Sequence, residues 1–71
     1  MTFLELFARA YMTPQEISVE THIPLKMVYA LRDGKPVEER YAMRVLRLLN
    51  GRLHTAIPLR DMQFKRAPDT L

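Results

Sequence analysis

The chain reads as a small all-α domain of four to five helices, with an extended C-terminal arm as the alternative to the fifth. Three observations predict this. Apolar residues recur three and four positions apart along most of the chain, the spacing that places them on one face of a helix. Thr2 and Thr13 each stand three residues before a glutamate, Glu5 and Glu16, the signature of a capping box. Pro24, Gly34, Pro36 and Asn50-Gly51 then cut the chain into segments of helical length.

The first helix is expected over 3–12. Thr2 caps it, and Phe3, Leu6, Phe7 and Ala10 share one side while Glu5, Ala8 and Arg9 take the other. Phe3, Phe7 and Tyr11 read as core. The second helix opens at Thr13, with Pro14 in the first helical position, where a missing N–H costs nothing. Ile17 and Thr21 lie on one face, and Ser18 is small enough to admit another helix closely. Pro24 ends the segment near His22 by disfavouring helical backbone at Ile23. A short turn leads to a third helix over about 24–33, closed by Gly34, which tolerates the left-handed conformation of helix ends. At ~100° per residue, Met27, Val28 and Leu31 form its apolar arc, while Leu25, Lys26, Tyr29, Ala30 and Asp33 point away.

Lys35-Pro36-Val37 makes a turn. A fourth helix follows over 38–49, closed by Asn50-Gly51, with Glu38 and Glu39 at its positive end and Arg47 near its negative end, as the helix dipole prefers. Tyr41, Ala42, Val45, Leu46, Leu48 and Leu49 give a broad apolar arc. Arg40, Arg44 and Arg47 fall opposite, in the pattern of a solvated face. Residues 57–64 form either a short helix started by Pro58, the favoured reading, or an arm in which Met62 and Phe64 alternate like a strand. The expected organisation is one domain over 1–66 and a frayed tail over 67–71.

At 71 residues the chain can bury only a marginal core. Domains of this size make up the deficit with disulfides, metal or self-association. With no Cys and only His22 and His54, the first two routes are closed and a homodimer is expected. Leu53, Ile57, Met62 and Phe64, or unmatched aromatics of the first helix, can supply its seam. No stretch approaches the ~18 apolar residues of a spanning helix, and charges break the opening apolar run, so the expected setting is cytoplasmic, with no membrane partner. The net charge is +3 and the pI about 9.7. Up to Asp33 acids and bases roughly cancel, and from Lys35 to Arg66 bases clearly outnumber acids, which suits a nucleic-acid partner. There is no Cys nucleophile, no Gly-rich phosphate loop and no metal-ligand spacing, and the sole Ser is needed for packing. An enzyme, a cofactor, a metal site and a small-molecule ligand are therefore not expected.

Three helices with a tight turn between the second and third describe a helix-turn-helix. The stretch 12–35 resembles the Cro/C1-type (XRE-like) helix-turn-helix family of phage and plasmid repressors. The residues that carry the likeness are Thr13, Glu16-Ile17-Ser18, Ile23, Val28, Leu31 and Gly34-Lys35. They align without a gap, and the fourth helix with Ile57-Pro58-Leu59-Arg60-Asp61-Met62 extends the resemblance over most of the chain. It implies a lambda-repressor-like fold. His22 stands where the family usually has Gly, at a position that favours positive φ. Pro14 stands where the family often has a phosphate-contacting Gln, with Gln15 beside it.

The resemblance also implies a site. In such a motif the second helix lies in the major groove with its N-terminal residues nearest the base edges. Leu25, Lys26, Tyr29 and Ala30 are then the expected base readers: Lys26 for guanine O6 or N7, Leu25 or Ala30 for a thymine methyl, Tyr29 for a base or a phosphate. Gln15, Arg32, Lys35 and Arg40 are the expected phosphate contacts, acting on affinity and not on specificity. The function so implied is a sequence-specific regulator of the repressor or Cro-like type, binding double-stranded DNA as a homodimer. Alternatives are an antitoxin-type autorepressor whose tail binds a toxin, and a protein-interaction module docking through Leu25 and Tyr29 without DNA.

Overall fold

A computed structural model describes residues 1–68. It contains four α-helices, α1 (Phe3–Ala10), α2 (Pro14–Thr21), α3 (Leu25–Arg32) and α4 (Glu39–Leu53), followed by a single 3-10 turn at Leu59–Asp61. The expected all-α class is thus observed, with four helices. None is long and apolar enough to cross a membrane.

Each helix buries the face its periodicity marks. Phe3, Leu6, Phe7 and Ala10 of α1, Ile17 and Thr21 of α2, Val28 and Leu31 of α3, and Ala42, Val45, Leu46 and Leu49 of α4 are buried. Met12, Ile23, Val37 and Met62 complete one core from the connections. Full burial of such side chains is worth about 1.5–3 kcal/mol each, so a chain this short depends on nearly every one. Phe3 anchors the centre, with edge-to-face contacts to Phe7 at 6.5 Å and Phe64 at 5.8 Å between centroids.

Several boundaries differ from expectation, each for a local reason. The first helix ends at Ala10, because Tyr11 turns left-handed at φ 53°. That turn swings the Tyr11 ring outward, and instead of joining the core it is 91% exposed. Only half of the capping box at Thr2 forms: the Thr2 hydroxyl accepts from the Glu5 N–H but donates to the Glu5 carboxylate, while the Thr2 backbone is bridged to Gln63. The box at Thr13 and Glu16 is complete. The fourth helix runs through Asn50-Gly51 to Leu53 and stops at left-handed His54. Asn50 does not end it, because its side chain reaches forward, accepting from the Ile57 N–H and the Thr55 hydroxyl and donating to the Ile57 carbonyl.

The fifth helix expected over 57–64 shrinks to the turn at Leu59–Asp61, and the arm takes its place. Gln63 N–H donates to the Met1 carbonyl, Val37 N–H to Lys65, and Ala67 N–H back to Val37, so the arm laces in parallel past the N-terminus and then past Val37. Met62 and Phe64 point inward and Gln63 and Lys65 outward, the alternation of an extended chain, which offers no helical stripe to bury. Of the expected tail over 67–71, residues 69–71 lie outside the described residues. Of the residues expected at a dimer seam, Met62 is buried and Leu53, Ile57 and Phe64 pack against the chain's own core, while Tyr11, from the aromatics expected on the first helix, is exposed.

Candidate nucleic-acid interface

One inward bond ties α2 to the turn that precedes α3, and a second lies within α2 itself. Ser18 Oγ donates to the Ile23 carbonyl at 2.6 Å, and Thr21 Oγ1 donates to the Ile17 carbonyl at 2.6 Å. Between them His22 sits at φ 58°, the left-handed conformation anticipated at this position. Arg44, placed by sequence in a solvated stripe, reaches back from α4 to donate to the Thr21 carbonyl at 3.3 Å, satisfying a helix end that would otherwise lack a partner. The C-terminal end of α3 closes by Lys35 N–H donating to the Ala30 carbonyl across Gly34, at φ 77°. Val28 and Leu31 hold the helix down from behind, at 0% and 2% exposure.

The outward face so fixed is mixed. Lys26 is exposed, Leu25 and Tyr29 are half-buried, and Ala30 is half-buried and packs against the core. Met27, expected in the buried arc, is itself only half-buried. Lys35 is exposed just beyond the helix.

Gln15, Tyr29, Arg32 and Asp33 come together in one chain of contacts. Gln15 Nε2, at the start of α2, donates to the Tyr29 hydroxyl oxygen at 2.9 Å. The Arg32 guanidinium lies over the Tyr29 ring, 4.7 Å from its centroid. Arg32 Nε donates to Asp33 Oδ1 at 2.8 Å, and a second bond runs to Oδ2. The hydrogen bond to Arg32, and next its charge, hold the Asp33 carboxyl below its ordinary pKa, with a further contribution from Lys35. The same hydrogen bond raises Arg32.

Arg40, the remaining expected phosphate contact, belongs to a different cluster. Its Nε pairs with Glu38 at 2.7 Å and its guanidinium lies 4.8 Å from the Tyr41 ring centroid. Glu38 raises the Arg40 pKa chiefly through its charge. Sequence reading missed Asp33 as the partner of Arg32, though adjacency was the available signal. It also missed the pairs Gln15–Tyr29 and Arg44–Thr21, whose members lie 14 and 23 positions apart with nothing local to link them.

An open apolar groove lies beside this cluster, lined by Leu4, Ala8, Tyr11, Pro14 and Arg32 among others. Its lining holds no pair of groups able to move a proton or to act as nucleophile and base. Among the described residues no cluster of His, Asp or Glu is arranged to hold a metal.

No family model, curated protein or solved structure matches the chain. What can be said of function therefore rests on the outward side of α3 and the groups around it.

Proposed function

We propose that the chain is a sequence-specific regulator that binds double-stranded DNA, with α2, the turn and α3 as a lambda-repressor-like helix-turn-helix of the Cro/C1 type. The observation that carries this reading is the two-sidedness of α3: Val28 and Leu31 are buried behind it while Lys26 stands in solvent and the Tyr29 hydroxyl meets the exposed Gln15. A short helix held rigidly at its back with cationic and hydrogen-bonding groups at its front fits the major groove. Repression then follows by occlusion of a promoter. A homodimer places two copies of α3 about one helical turn apart on a two-fold operator. Leu4, Tyr11 and Val19, the exposed large apolar side chains among the described residues, remain to form its seam.

Selection of duplexes from a randomised pool tests the reading, followed by binding of Lys26→Ala to the recovered sequence. Loss of about 1–3 kcal/mol with relaxed choice at one base pair is expected, whereas equal losses on recovered and scrambled duplexes would contradict base reading by Lys26. The apolar groove with Leu4 and Tyr11 favours a second reading, a protein-docking module that retains the helical core. Such a module would be held on DNA weakly and without steep dependence on salt.

A further inference from the structure

We infer that Gln15 sets the hydrogen-bonding polarity of Tyr29, making it a reader of acceptor edges that excludes cytosine. This inference rests on the DNA-binding reading of α3 and deepens it.

A phenolic oxygen conjugated with its ring keeps its proton in the ring plane and leaves one good in-plane acceptor direction. In this structure the Gln15 amide nitrogen fills that direction at 2.9 Å. The Tyr29 proton then has only the other in-plane direction, away from Gln15. The ring carrying it is flanked by Arg32, which covers its face at 4.7 Å and is itself bonded to Asp33 by two hydrogen bonds. The hydroxyl is thus a donor fixed before any ligand arrives, which lowers the ordering cost of the contact it makes. In the major groove, acceptors are guanine O6 and N7, adenine N7 and thymine O4, while cytosine presents only its amino donor. A donor facing that amino group loses its bond and leaves two donors opposed. Gln15 is a positioning residue in this scheme and Tyr29 the specificity-determining one.

Inverting the polarity provides the test. In Gln15→Glu a carboxylate faces the phenol, takes its proton as an acceptor, and turns the free in-plane lone pair outward. A duplex recovered from a randomised pool by the wild-type chain is changed to each of the other bases at every position, and affinities are measured for wild type, Tyr29→Phe and Gln15→Glu. For the wild type, one position should disfavour cytosine by about tenfold, the size of a single mismatch. Tyr29→Phe should bring the four bases at that position within about twofold of one another, and Gln15→Glu should invert the preference so that cytosine and adenine, which present amino donors, bind better than guanine and thymine. The added charge of Gln15→Glu lowers affinity for all bases alike, so it cannot produce an inversion. Uniform weakening by Tyr29→Phe, as a phosphate contact would give, overturns the proposal, and so does a Gln15→Glu profile that is unchanged or merely flattened. If the wild type recovers no preferred duplex, the DNA-binding reading falls and takes this proposal with it. Recovered duplexes on which wild type and Tyr29→Phe agree base by base remove this inference alone.

Discussion

Replacing Asp33 by Asn removes the carboxylate that neutralises Arg32 while preserving shape, and leaves one of the two acceptors that Arg32 now uses. In the free protein Arg32 spends two donors on Asp33, and Lys35 acts on the same carboxyl through its charge. On the DNA-binding reading these are two of the expected phosphate contacts, and Asp33 damps both. Asp33→Asn should therefore free one to two cations for phosphate, steepening the slope of log affinity against log salt by about 0.9–1.8. Between about 50 and 200 mM salt, a fourfold range, the ratio of variant to wild-type affinity should then fall by about 3.5- to 12-fold. Fluorescence anisotropy on a random-sequence duplex measures this directly. The pH dependence supplies a control. Because the hydrogen bond and charge of Arg32 lower the folded-state pKa of Asp33, its stabilising effect is fully present above the unfolded value. It is lost only as pH falls through the folded value, below the ordinary carboxylate range. From about pH 5 to pH 8 the carboxyl stays ionised, so the affinity ratio of the two proteins should not move. An unchanged or shallower salt slope would refute the reasoning, since it would mean that Arg32 meets phosphate equally well with Asp33 present or meets none in either protein.

Three further substitutions address the scaffold. Gly51 lies inside α4, exposed, with no atom within 4 Å of where a Cβ would stand; Gly51→Ala should stabilise by about 0.5–1 kcal/mol, raising Tm by about 2–8 °C in thermal circular dichroism. Tyr11→Gly relieves a left-handed residue that is 91% exposed and so loses little packing. The relief of ~1–2 kcal/mol exceeds the ~0.5–1 kcal/mol entropic cost of glycine, and chemical denaturation at concentrations that keep the chain monomeric should show a net gain. Ser18→Ala strips the Ile23 carbonyl of its 2.6 Å partner at a part-buried turn, and urea titration should show a loss of about 1–3 kcal/mol; a neutral result would mean that water replaces the hydroxyl.

The helices and their inner faces were legible because both arise from local causes. Capping at Thr13, the break at Pro24 and the closure at Gly34 each act within a few residues, and the apolar periodicity names Val28, Leu31, Ala42 and Val45 directly. What failed was local chemistry outweighed by distant partners. Asn50-Gly51 has the composition of a helix end, but Asn50 finds the Ile57 backbone seven residues on, and the helix continues. The segment after Pro58 has no helical stripe, and its fate was decided by Met1 and Val37, whose backbone groups it pairs. The residues on the outer face of α3 were nameable from periodicity, but their partners were not: nothing within 14 residues of Tyr29 indicates that an amide from α2 will occupy its oxygen.

Those partners bear on how such a surface meets a polyanion. Arg32, Arg40 and Arg66 are each within ion-pairing distance of a carboxylate, at 2.8, 2.7 and 3.7 Å, whereas Lys26 and Lys35 form no ion pair among the described residues. On the DNA-binding reading Lys26 and Lys35 are offered directly, whereas these three arginines must first exchange a carboxylate for a phosphate. On DNA of arbitrary sequence the exchange gains little, because one solvated anion replaces another and exposed pairs of either kind are weak. If the proposed base contacts of α3 form on a matching sequence, they would hold the arginines against the backbone long enough for the exchange to favour phosphate. On that reading internal pairing of this kind would lower non-specific affinity more than specific affinity, and so widen the ratio between them without adding a single base contact.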